Sequence, residues 1–216
     1  MKILSDANEI DVVWEWGRAE IESARFGEGY ALLSPRIRAA LRVGDRDDLA
    51  PEDLEQVRKV VRFLRAPVLE DLFRLGTTWK RAGITISEVG PLRVVNWPPL
   101  ASVDPSRTIE GIARFLDRGG EPPDHAFGQG YRALRPVFSM FKMQGRPLLL
   151  AENEAGPYSV LEGYTRCAVI ASAYLARELA DGPLEVIVGI CPQVRDWHRW
   201  QQQPDRNWVR TNHKMW

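Results

Sequence analysis

The spacing of apolar residues changes along the chain, and those changes divide it into stretches. Over residues 6–26 apolar positions recur at helical intervals. Ile10, Val13, Trp14 and Ile21 lie along one side, Asp6 and Glu9 stand in the relation of a capping box, and Glu15, Arg18, Glu20 and Glu22 form the polar face. Phe26 to Tyr30 reads as a connector, and Ser34-Pro35 predicts a serine-capped helix with proline in its first turn, running to about Val43. After the polar loop Gly44 to Asp48, two helices over Pro51–Leu64 and Val68–Leu75 are expected, broken by Pro67, with Leu54, Val57, Val60, Val61 and Leu64 turned to a core.

From Gly83 the pattern switches. Ile84 to Val89 alternates as a strand does, Leu92 to Trp97 reads as a second, and Asp104-Pro105 caps a helix carrying Ile109, Ile112, Ala113 and Leu116 that Gly119-Gly120 closes. Glu121 to Gly130, rich in proline and glycine, is expected to be a loop, with a helix from Tyr131 to Met143 after it. Pro147 to Ala151 and Tyr158 to Leu161 then form a hairpin about Asn153-Glu154-Ala155-Gly156. A helix over Cys167–Leu179 ends before Asp181-Gly182-Pro183, and Leu184 to Ile190 follows as a strand. These elements imply an α+β chain: a helical region over 1–82, a mixed α/β domain over 83–191, and a C-terminal helix or tail over 192–216 packing back on it.

Charge narrows the functions. The 216 residues hold 29 basic and 29 acidic side chains, which argues against a protein whose main task is to coat nucleic acid. Cys167 and Cys191 lack metal-ligand spacing and suit a reducing compartment, and the three histidines are scattered, so a structural zinc site is not expected. No run approaches the roughly 20 apolar residues of a spanning helix. The expectation is a cytoplasmic protein without a membrane partner. Oligomeric state is not legible. After Ile190, Trp197, Trp200, Trp208 and Trp216 alternate with Arg195, Arg199, Arg206, Arg210 and Lys214, a strip able to stack on bases or to dock against the N-terminal helix.

The chemistry concentrates at Leu161-Glu162-Gly163-Tyr164-Thr165-Arg166. Gly163 allows a tight strand-to-helix turn, Tyr164 or Thr165 takes the first helical positions with their unbonded N–H groups, and Arg166 adds a forked donor. Such an end attracts anions and is a candidate phosphate cradle. The same residues also suit an ordinary turn, cap and solvated arginine. Glu162, or Glu152 or Glu154 on the hairpin, could hold Mg²⁺ or act as a general base, and Asp124 or His125 could reach a substrate from the loop before Tyr131.

The run from Leu134 to Ile190, containing Gly145-Arg146-Pro147-Leu148 and Gly163-Tyr164-Thr165-Arg166, resembles the N-terminal domain of the ParB/sulfiredoxin superfamily. The resemblance covers about a quarter of the chain. It implies a small mixed sheet with flanking helices and a nucleotide, ATP or CTP with Mg²⁺, at the Gly-x-x-Arg turn. Catalytic roles would fall to Glu162 and Arg166, and nucleotide contacts to Gly163, Tyr164, Thr165 and Arg166. Members variously hydrolyse CTP, repair sulfinic acids with ATP, phosphorylate serine, or are assigned nuclease activity. Sulfiredoxins place a reactive cysteine where this chain has Tyr164, and partition proteins add a DNA-binding domain for which the residues after Ile190 leave no room. The expectation is an NTP-dependent phosphotransferase or NTPase. The alternatives are a DNA-acting or nucleic-acid-binding ParB-like protein, with nuclease, defence or plasmid function, and a non-catalytic ligand-sensing regulator.

Overall fold

A computed structural model describes residues 1–23, 26–95, 98–140, 145–197 and 200. The fold is α+β. Among the described residues it has six strands, β1 (Lys2–Ala7), β2 (Thr78–Thr85), β3 (Arg93–Val94), β4 (Leu148–Ala151), β5 (Ser159–Glu162) and β6 (Pro183–Ile190). They form one mixed sheet in the order β1-β2-β6-β4-β5-β3. The expected hairpin is present: β4 and β5 run antiparallel with Leu148 opposite Glu162. β6 returns parallel to β4 after a helical crossover, and β3 lies parallel to β5 at the far edge. Consecutive strand residues point to opposite faces, and all four residues of β4 are fully buried, so both faces are covered at the centre.

The helices are α1 (Glu9–Glu20), α2 (Pro35–Val43), α3 (Pro51–Arg74), α4 (Pro98–Ala101), α5 (Ile109–Asp117), α6 (His125–Leu134) and α7 (Tyr164–Leu175). α1 packs on α2 and α3 and touches β4, whereas α5 and α6 pack on α7. α2 follows the sequence closely: Ser34 Oγ accepts from the Ile37 N–H at 3.3 Å and Gly44 ends the helix in the left-handed region. α3 carries the expected break, expressed at Arg65 (φ −124°, ψ 16°), two residues before Pro67. Proline supplies no N–H and its ring crowds the carbonyl four residues back, so the turn before it must open.

Several expectations need correction. Residues 2–7 form an edge strand that the helical spacing from residue 6 hid; it is mostly exposed, and backbone pairing with β2 holds it rather than an apolar face. α1 is therefore capped by Asn8 in a box with Asp11, not by Asp6 with Glu9. The polar face assigned to α1 is partly interior: Glu15 and Glu20 are buried against arginines brought by other segments. β2 begins at Thr78 and ends at Thr85, so the boundary expected at residue 82 falls inside it, and one core cluster spans both sides. The strand expected over Leu92–Trp97 is observed as Arg93–Val94, with residues 96 and 97 outside the described residues. Thr108 rather than Asp104 caps α5. The expected loop through Gly130 ends at Asp124, because its carboxylate accepts from the Phe127 N–H at 3.2 Å and α6 then buries Phe127 and Tyr131. α7 stops at Leu175, earlier than expected. Among the described residues no helix is long and apolar enough to cross a membrane.

Candidate functional site

The junction between β5 and α7 opens on a cavity of about 480 Å³. Gly163 is the N-cap residue at φ +93°, a backbone state that L side chains rarely adopt, and as glycine it brings no side chain of its own to cap the helix. A Cβ there would meet Arg166 Nη2 at 2.9 Å, so glycine both makes the turn and leaves space for the arginine. Tyr164, Thr165 and Arg166 occupy the first three helical positions and line the cavity. Their N–H groups belong to the first turn, which has no carbonyl four residues back within the helix.

Arg166 is not the solvated side chain a surface turn would carry. It is 9 % exposed, donates to the carbonyl of Gly145, and lies 3.8 Å from Glu162 Oε1. Gly145, at φ +73°, passes so close to α1 that a Cβ would lie 2.8 Å from the Glu15 carbonyl oxygen. Arg166 thus joins the N-terminus of α7 to the segment entering β4 beside α1. Glu162, at the end of β5, faces the same cavity, and its charge reaches the buried Tyr30 hydroxyl, whose pKa is raised by burial first and by this carboxylate second.

Structure brings Asp124 to the cavity from the start of α6, although its carboxylate also caps that helix. His125 is exposed and does not line the cavity. Glu152 and Glu154 lie away from Glu162, and the reason is in the hairpin itself. The turn joins the start of β5 to the end of β4, whereas Glu162 closes β5, so three residue steps separate Ser159 from Glu162, roughly 10 Å. Glu152 instead pairs with Arg195 at 2.7 Å, and Glu154 is exposed. Cys167 is fully buried in α7, and burial pushes its thiol up to about 12, consistent with packing.

Comparison with family models, with curated proteins and with solved structures found no match. The site therefore rests on its own geometry.

The helical N-terminal part also lines the cavity, with Glu22 and Phe26 and with two charged side chains that meet each other, Glu20 and Arg65. Glu20, 3 % exposed, accepts from Trp16 Nε1 at 3.2 Å and is ion-paired with Arg65. Its Oε2 is buried without a hydrogen-bond partner among the described residues. Arg65 arrives from the break in α3, and its guanidinium stacks over the Phe26 ring at 3.7 Å. A conflict in α1 could have flagged Glu20: it lies four residues after Trp16, so a helix that buries the indole carries the carboxylate with it. Nothing local flags Arg65. Among the described residues no group of three or more His, Cys, Asp or Glu could hold a metal ion. The tryptophan and arginine strip can be followed to Arg195, Trp197 and Trp200; His198, Arg199, Arg206, Trp208, Arg210, His213, Lys214 and Trp216 lie outside the described residues.

Proposed function

We propose that this protein binds a nucleotide or a small phosphorylated ligand at the β5–α7 junction and acts on it as an NTP-dependent phosphotransferase or NTPase. One observation carries the reading: a cavity of about 480 Å³ meets the N-terminus of α7 where the N-cap residue, Gly163, has no side chain of its own to cap the helix. Helix N-termini attract phosphate through their N–H groups and dipole. The cavity falls within the usual range for small-molecule sites, and Phe26 and Phe127 give it apolar wall for a base or sugar. The resemblance of the Gly163–Arg166 turn to the ParB/sulfiredoxin superfamily points the same way.

The roles follow from placement. The N–H groups of Tyr164, Thr165 and Arg166 face phosphate oxygens, and the Arg166 guanidinium holds the turn and adds positive charge. Glu162 is the carboxylate next to the phosphates; with ATP or CTP bound it would share a Mg²⁺ with them, an arrangement that needs one or two carboxylates and no all-protein cage. Magnesium supplies charge neutralisation, and Glu162 is also placed to accept a proton from an attacking hydroxyl. Glu20, whose Oε2 is buried without a partner among the described residues, adds a second carboxylate to the cavity lining.

Thermal unfolding with ATP and CTP, with and without Mg²⁺, tests this. A ligand at 100 times its dissociation constant adds about 2.7 kcal/mol, or roughly 5–10 °C for a chain of this size. Glu162→Gln should keep the response to nucleotide alone and lose the Mg²⁺ increment. A wild type that neither nucleotide stabilises would sink the proposal. Release of phosphate from the bound nucleotide separates an enzyme from a ligand sensor.

A further inference from the structure

A second cavity, about 370 Å³, lies at the other end of β5, where the carboxyl ends of β4 and β6 emerge. Its wall holds three arginines, Arg93, Arg107 and Arg195, against one carboxylate, Glu152, together with Ser159 and Trp200. Glu152 is already engaged, accepting from Arg195 Nε at 2.9 Å and Nη2 at 2.7 Å. Arg93 and Arg107 have no hydrogen-bonded or ion-paired side-chain partner among the described residues, and Arg107 Nη1 is buried.

Backbone bonds fix this pair of like charges. The segment carrying Arg107 runs beside the edge strand β3: the Val94 N–H donates to the Arg107 carbonyl at 2.9 Å, and Arg93 bridges Thr108. Arg107 itself sits at φ +55°, in the left-handed region, a strained state for a residue other than glycine. Nearby acids are committed elsewhere. Asp104 accepts from the Thr108 N–H at 3.1 Å and from Ser106, and Glu110 pairs with Arg114 at 2.8 Å. Burial first, and then the Arg93 charge, hold the Arg107 pKa below its ordinary value. Two guanidiniums held together, one with a buried nitrogen left unsatisfied, are a cost that a bound dianion would remove.

We infer that this cavity is an anion site, distinct from the β5–α7 junction, that takes a phosphate dianion between Arg93 and Arg107. Ser159 offers a hydroxyl and Arg195 a further cation at the rim. The cavity has room for more than bare phosphate, and the Trp200 ring in its wall suits the base of a nucleoside monophosphate. Free phosphate and a phosphate monoester share the chemistry the arginines would read, and the experiment separates them.

Inorganic phosphate and AMP are titrated separately into the whole chain by calorimetry, at low ionic strength, with melting temperatures measured in parallel. Four proteins are compared: wild type, Arg107→Gly, Arg93→Gln and Arg36→Gln, the last a surface change of equal charge on α2. Glycine at 107 suits the local backbone, so folding is kept. Phosphate is expected to bind wild type and Arg36→Gln, with affinity at least tenfold lower in Arg107→Gly and in Arg93→Gln. Without phosphate, Arg107→Gly should melt at or above the wild-type temperature, because strain and like-charge repulsion both go; an arginine serving only structure would give a fall. Counting only binding that Arg107→Gly and Arg93→Gln weaken, which separates this cavity from the β5–α7 junction, tighter binding of AMP than of phosphate identifies a monoester as the ligand, and equal or weaker binding identifies the free ion. Absence of phosphate binding to wild type, retention in either arginine variant, loss in Arg36→Gln, or a lowered melting temperature for ligand-free Arg107→Gly overturns the proposal.

Discussion

Replacing Arg166 by alanine should destabilise the protein even with no ligand present. The guanidinium is 9 % exposed, donates to the Gly145 carbonyl and lies 3.8 Å from Glu162, whose side chain is 17 % exposed. A hydrogen bond from a charged group contributes about 1.5–3 kcal/mol. The ion pair has a gross attraction of about 4 kcal/mol at an effective dielectric constant near 20, most of which desolvation of the two groups offsets. Alanine removes these contacts and leaves Glu162, whose charge reaches the buried Tyr30 hydroxyl, without the Arg166 cation. The expected loss is about 2–4 kcal/mol, roughly 5–15 °C in melting temperature. Urea unfolding followed by circular dichroism measures it, and Arg166→Lys, which keeps the charge and loses the fork, should fall between. A cycle with Glu162→Gln isolates the pair, expected to couple by about 0.5 kcal/mol or more. Should Arg166→Ala unfold within about 0.5 kcal/mol of wild type, the arginine does not hold the β4 entry to α7. This stability effect also means that loss of nucleotide response in Arg166→Ala alone would not identify a ligand contact, which is why Glu162→Gln carries that test.

Two ionisable networks give pH-dependent outcomes. Burial alone would raise the Asp11 pKa, but the Asn8 N–H and the Arg81 and Arg46 guanidiniums outweigh it, so the folded value lies below 3.8. Its contribution is therefore complete above that pH and is lost as pH falls through the lower folded value; Asp11→Asn should be less stable at neutral pH and show a shallower acid limb in melting temperature against pH. Tyr131 is raised from 10.0 to about 12 by burial and by its bond to Asp117, which also accepts from Ser172 at 2.8 Å and so ties α5, α6 and α7 together. A raised value means that stability is complete below pH 10 and declines as pH rises towards 12, and Tyr131→Phe should remove that part of the alkaline slope.

What the sequence displayed depended on whether the deciding interaction was local. Ser34 and Gly44 bracket α2 through bonds within a turn of each residue, and the β4–β5 hairpin, the Gly163 turn and β6 follow from short apolar runs with strong punctuation. The edge strand β1 had no such sign, because its pairing to β2 is a backbone matter and most of its side chains are exposed. α6 shows the reverse error: Gly128 and Gly130 suggested a loop, yet one capping aspartate and two buried aromatics are enough for a helix when α7 lies alongside. In each case tertiary contact supplied what local preference lacked.

The candidate site divides along the same line. Glu162 to Arg166 could be marked from sequence because a strand-to-helix turn assembles them in five consecutive residues. Glu152 and Glu154 could have been set apart from them by hairpin geometry alone, since the acids of a turn and the last residue of its second strand face opposite ends of the sheet. Glu20, Arg65 and Arg107 were hidden for a different reason. In a chain with balanced charge, an acid or an arginine reads as surface until its partners are known. Structure separates the cases by pairing: Glu20 is buried because Arg65 and Trp16 meet it, whereas Arg93 and Arg107 line one cavity and neither is paired with an acid among the described residues. The first arrangement is what a wall needs in order to stand, and the second is what a site needs in order to be filled.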